Sequence, residues 1–263
     1  MSFFNSLKGL GRTSKKNKSS PTRPPQTSVS GSVYGSPQAN GSRMSVSKAR
    51  SPTQRSVVQA AAADKVESQQ VMFLSEPFVR TALVKGSFKT IVQLPKYVDV
   101  GEWIALNIFE FYTNLNQFYG VIAEYVTAEA YPTMNAGPRV EYLWLDANSR
   151  QVALPAGQYI DLALTWINNK VNDKTLFPTK SGLPFAQHFI RDMQRIMIQM
   201  FRIFAHIYHH HFDKFVHLSL EAHWNSFFAH FVSFAKEFNL LDRKEMAPLE
   251  LLIESFERQG KII

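Results

Sequence analysis

A chain of 263 residues with no cysteine can form no disulfide, no thiolate nucleophile and no Cys-ligated zinc site. Its formal charge of +8 is unevenly placed: residues 1–65 carry eleven Lys/Arg against one acid, Asp64, whereas residues 66–263 sum to −2. The folded part therefore lacks the basic field of a nucleic-acid binder, and no apolar run approaches the roughly 18 residues that span a bilayer, which excludes stable membrane insertion.

Residues 1–65 are rich in Ser, Pro, Gly, Lys and Arg. They hold too few large apolar side chains to offset the entropy of ordering. They are expected to form a disordered basic tail, leaving 66–263 as one domain. The opening MSFFNSLKGLGRTSKKNKSS lacks a signal peptide's continuous apolar segment. Phe3, Phe4, Leu7 and Leu10 leave open a weak basic-amphipathic membrane contact. Ser20-Pro21, Ser36-Pro37 and Ser51-Pro52 suit proline-directed phosphorylation, which would neutralise local positive charge.

From Glu67 the character changes. Phe73-Leu74 and Phe78-Val79 read as an arm over the domain. Leu94–Asp99 is a loop, with Asp99 a candidate N-cap for a helix over 100–125. That helix carries Trp103, Leu106, Phe109 and Phe118 as apolar residues, with Glu102, Glu110 and Glu124 at its exposed face. A loop over 127–138 leads to a hairpin pairing 140–144 with 151–154. A helix over 155–174, a loop over 176–184 and a helix over 191–212 follow. This last helix has no Pro or Gly and is apolar round more than one face, so it belongs at the centre. It ends in His206, His209, His210 and His211. Helices over 217–239 and 246–259 complete the chain, Pro248 being tolerated in a first turn. The fold class is mainly α: four or five helices with one small hairpin, and twenty-one Phe to fill the core.

His206 and His210, four apart, share a helix face, the geometry of a two-His metal pair. Two imidazoles are too few for zinc, which takes three or four protein ligands. A metallohydrolase built on His206, His210 and His211 is the competing reading, and metal analysis separates the two. Gly-rich phosphate loops, a Gly-x-Ser-x-Gly elbow and a Rossmann fingerprint are missing. Asp161, Asp173 and Asp192 stand alone. The residues by themselves describe a helical domain that is not an enzyme.

Several separated stretches closely resemble the Mob (phocein-like) family: Gly101-Glu102-Trp103-Ile104-Ala105, Asn116–Tyr119 with Gly120, Ala136-Gly137-Pro138, Tyr142-Leu143-Trp144 and Phe201–His211. Their order and spacing match over about 73–257. The HHHF ending and the Ser/Arg-rich tail resemble its fungal Mob-two branch. The resemblance implies a helical bundle with a hairpin at its side, and a non-catalytic coactivator of NDR/LATS kinases of the AGC group. Such proteins bind a basic helical region N-terminal to the kinase domain through acidic residues on the first long helix. Those positions are Asp99, Glu102, Trp103 and Glu110 here. The plainer reading makes Glu102 a first-turn carboxylate favoured by the helix dipole and Trp103 a core residue. A phocein-like scaffold for trafficking or phosphatase assemblies is the alternative function. The resemblance also implies the cytoplasm, sites of polarised growth, the bud neck and the nucleus.

Two departures qualify the resemblance. Zinc-bearing members use two Cys and two His at positions that correspond to Val126, Tyr131, His206 and His211. Val126 cannot ligate and Tyr131 is no thiolate, so no metal and no cofactor are expected. Instead the two would join the loop to the helix by apolar contact. Members that read phosphopeptides use a basic pocket whose positions are Ile198, Gln199 and Arg202 here, and one Arg makes a poor phosphate site.

Overall fold

The computed structural model describes residues 71–178 and 182–262, so the tail and its Ser-Pro dipeptides lie outside the described residues. The described part is mainly helical, with one two-stranded antiparallel sheet. None of its helices is long and apolar enough to cross a membrane.

The arm begins with two single 3₁₀ turns, Met72–Leu74 and Phe78–Arg80. Phe73 packs edge-on to Tyr208 at 5.2 Å and to His209 at 5.3 Å. A one-turn helix, α1 (Lys89–Val92), buries Phe88 and Val92, which lie one turn apart and hold it to the core. The sequence did not signal α1, since four residues carry no periodicity.

Helix α2 (Val100–Ile122) starts where Asp99 predicts: Oδ1 accepts from the backbone N–H of Gly101 at 2.8 Å and Glu102 at 3.1 Å. Ile104, Ile108, Phe111, Leu115, Phe118 and Ile122 recur at three and four residues and form its buried stripe. The expected helix to 125 ends three residues early, in a 3₁₀ turn at Ala123–Tyr125.

The hairpin is shorter and later than expected. Strand β1 (Trp144–Leu145) pairs with β2 (Gln151–Val152), Trp144 opposite Val152. Asp146 sets the turn by accepting from the N–H of Asn148 at 2.8 Å and of Arg150 at 2.9 Å. Upstream, 140–143 make only an isolated bridge, Asn135 with Glu141.

Helix α3 (Ala156–Val171) stops short of 174 because the Asn172 N–H and side-chain amide both turn back to the Asn168 carbonyl. Helix α4 (Phe189–His210) packs against α2 and α3. Over 203–208 it is buried all round. Its first half is not: Arg191, Gln194, Arg195, Ile198, Gln199 and Arg202 mark a partly exposed stripe. The chain breaks at His211 (φ −132°, ψ 8°) and a further short helix, α5 (Phe212–His217), occupies what the sequence left as a connection.

Helix α6 (Glu221–Glu237) supplies most of the aromatic core. Phe204 of α4 lies 4.7 Å from Trp224, 5.1 Å from Phe227 and 4.9 Å from Phe231. The expected last helix is divided: α7 (Arg243–Met246), a 3₁₀ turn at Ala247–Leu249 that accommodates Pro248, and α8 (Glu250–Arg258). The C-terminus returns to the arm, where Gln259 Nε2 donates to Val79 O at 3.1 Å and Lys261 Nζ to Arg80 O at 3.1 Å.

Candidate partner-binding surface

Asp99, Glu102 and Trp103 sit at the start of α2, and Glu110 lies about two turns further along it. At 3.6 residues per turn, Glu102, Leu106, Phe109 and Thr113 share one face, and Glu110 lies along its edge. That face is opposite the buried stripe. Glu102 and Glu110 are exposed, and neither forms an ion pair among the described residues. Leu106 and Phe109 are 52% and 48% exposed. Large side chains half in water and aligned between unpaired carboxylates make a surface suited to an amphipathic cationic helix.

Asp99 has two uses. One oxygen caps α2, and the side chain remains exposed. Trp103 is half-buried, and its indole Nε1 donates to Val92 O at 3.1 Å, fastening α1 to α2. It therefore holds α1 beside the start of α2 while remaining partly exposed. Gly101 is required by crowding: a Cβ there would lie 2.5 Å from the Phe185 ring. In the sequence Leu106 and Phe109 stand only as apolar residues of this helix. Their offset from the 104–108–111 stripe was the signal that they face out.

Three of the four degenerate zinc positions, Tyr131, His206 and His211, come together. The Tyr131 ring lies 5.4 Å from His206, 5.3 Å from His210 and 4.6 Å from His211. Its hydroxyl donates to His210 O at 3.3 Å. His206 Nδ1 pairs with Asn135 O at 2.8 Å, and His210 Nε2 with Asn135 Oδ1. Burial pushes His206 down to about 3, and His210 and His211 down to about 4, so all three are neutral near pH 7. Val126 is buried and offers no donor atom. Two imidazoles with a phenol already bonded to a carbonyl do not suit tetrahedral zinc. Among the described residues no group of three or more His, Cys, Asp or Glu could hold a metal. The phenol ring instead ties the loop to the helix end, the apolar contact expected for Tyr131.

Two of the three phosphopeptide positions, Gln199 and Arg202, are engaged inside the chain. Arg202 donates to Tyr159 Oη at 3.0 Å, lies over the Tyr142 ring at 5.2 Å and is 3.7 Å from Glu245. Gln199 Oε1 accepts from the same tyrosine at 2.8 Å.

The sequence model of the Mob1/phocein family matches residues 80–249. The chain is 68% identical to the CBK1 kinase activator protein MOB2 of Saccharomyces cerevisiae, over all of this chain and 99% of that protein. It is 52% identical to the protein of the same name in Candida albicans, over all of this chain and 98% of that one. Identity to the maintenance of ploidy protein mob2 of Schizosaccharomyces pombe is 54%, over 73% of this chain and 78% of that protein.

Proposed function

The chain belongs to the Mob1/phocein family, and from that premise we propose that it is a non-catalytic activator subunit of a protein kinase of the NDR/LATS type. The α2 face binds the basic helical extension N-terminal to the kinase domain. Binding orders that extension and helps position the kinase's regulatory C-terminal segment. Chemistry stays with the kinase. The supporting relatives are named as kinase activators. The observation that carries the reading is the pairing of unpaired Glu102 and Glu110 with exposed Leu106 and Phe109 on one helix face. Charge complementarity of this kind governs association rate and partner choice more than total affinity. The cytoplasm, sites of polarised growth, the bud neck and the nucleus go with this role.

The test is a titration of the kinase extension with Asp99→Asn/Glu102→Lys/Glu110→Lys. Asn keeps the helix cap, so the variant loses charge without losing the start of α2. The expected result is an affinity lowered at least about tenfold, with a weaker dependence on salt. Unchanged affinity removes the proposed surface. A domain with no preference for the extension and no effect on kinase activity would fit a scaffold instead.

A further inference from the structure

Tyr97 is the most exposed large hydrophobic side chain described, at 104% of its reference accessibility. Its φ of 67° lies in the left-handed region. The Val98 N–H donates to Pro95 O at 3.3 Å, so Lys96 and Tyr97 are the central residues of the turn that launches α2. The second central position of a turn with φ above zero is ordinarily glycine or asparagine. A tyrosine there is strained, and among the described residues its ring makes no stacking contact and its hydroxyl no hydrogen bond. The turn is held in place from outside, by the Trp103–Val92 hydrogen bond before it and the Asp99 cap after it. Strain maintained by the surroundings, with no return inside the chain, is characteristic of a functional position.

We propose that Tyr97 is a docking residue of this surface: its ring seats in an apolar recess of the same cationic helical segment that the α2 face binds. The inference rests on the proposed function and sharpens it. The partner must be amphipathic, with an apolar stripe reaching the turn and its cations further along, at Glu102 and Glu110. Leu94 and Val100, three residues to either side of it in the chain, are 41% and 46% exposed and add apolar surface at the start of α2. Lys96, exposed and without an ion pair among the described residues, repels the partner's cations from the turn itself. An anionic membrane is a poorer occupant, because Glu102 and Glu110 would face its headgroups.

The experiment uses the full chain and the basic extension of an NDR-type kinase. Tyr97→Asn suits the left-handed backbone, so its melting temperature should hold or rise. Its affinity should fall about tenfold or more, as for an aromatic hot spot, while Tyr97→Phe stays within about twofold. Glu102→Lys/Glu110→Lys is measured alongside. If that variant binds weakly and Tyr97→Asn binds normally, the inference fails and the proposed function stands. If neither loses affinity, both fail. A lower melting temperature accompanying lost binding would make Tyr97 a structural residue. Loss of pelleting with phosphatidylserine vesicles at unchanged kinase affinity would assign the ring to lipid. Either of those last results overturns the proposal.

Discussion

Asn225 shows how much one buried amide can hold. Its Nδ2 donates to Phe78 O at 2.9 Å and Thr81 O at 2.8 Å, and its Oδ1 accepts from Tyr208 Oη at 2.9 Å. Ser226 continues the seam, its Oγ accepting from the Leu83 N–H at 2.9 Å. The arm leads through α1 to Trp103, so these bonds are part of what presents the acidic face. Asn225→Ala would strand the Thr81 carbonyl and the Tyr208 hydroxyl, each costing about 1–3 kcal/mol when buried without a partner, while Phe78 O keeps the Thr81 N–H at 3.1 Å. Some relaxation is expected, and urea unfolding should show a loss of about 2–4 kcal/mol. Tyr208→Phe removes only a hydroxyl and should lose about 1 kcal/mol. Equal losses would contradict the larger share given to the arm carbonyls. Asp99 was legible because a capping carboxylate acts on its own neighbours. Asn225 was not, because its arm partners Phe78 and Thr81 lie 147 and 144 residues away and a lone Asn in a helical stretch reads as surface.

The end of α4 has a consequence for acid stability. His206 is held down to about 3 and His230 of α6 to about 4, both chiefly by burial. His230 is stacked on Phe88 at 5.3 Å and edge-on to Phe111 at 4.9 Å. An unfolded imidazole titrates near 6.5. As pH falls below that value the unfolded chain takes up protons first, so stability is full above about pH 7 and declines between about 6.5 and 4. His206, buried completely, adds a slope of up to about 1.4 kcal/mol per pH unit in that window, and the partly exposed His230 adds less. Urea midpoints at pH 8 and 7 should agree, and those at pH 6 and 5 should fall in turn. His230→Phe should flatten the decline, and a midpoint flat to pH 5 would contradict the neutral assignments. The histidine run stood out in sequence, and so did α2, α3, α4 and α6, because long apolar periodicity survives in any tertiary setting. The break at His211 did not: neither Gly nor Pro marks it, and α5 resumes at once. The hairpin's true register depends on Asp146 binding two backbone N–H groups, which outweighs the β-propensity of 140–143.

At the scale of the whole molecule the charges oppose one another. The tail's +10 exceeds the −2 of residues 66–263, so the complete chain approaches any partner as a cation. The proposed partner segment is also cationic, and its attraction is confined to Glu102, Glu110 and Asp99. Long-range repulsion between tail and partner should therefore slow encounter, while short-range contacts on α2 decide how long the complex lasts. Replacing the eleven tail Lys/Arg with Gln in the full chain separates the two. At about 10 mM salt, where the screening length is about 30 Å, the association rate with the kinase extension should rise several-fold. At about 1 M, where it is about 3 Å, the two chains should associate equally. The dissociation rate should not change at either salt. Phosphate on the Ser-Pro sites would act in the same direction as the substitution, by lowering tail charge and raising the rate of encounter. A faster dissociation after tail neutralisation would show instead that the tail's cations stabilise the bound complex, and an unchanged association rate would show that the α2 face alone steers the approach.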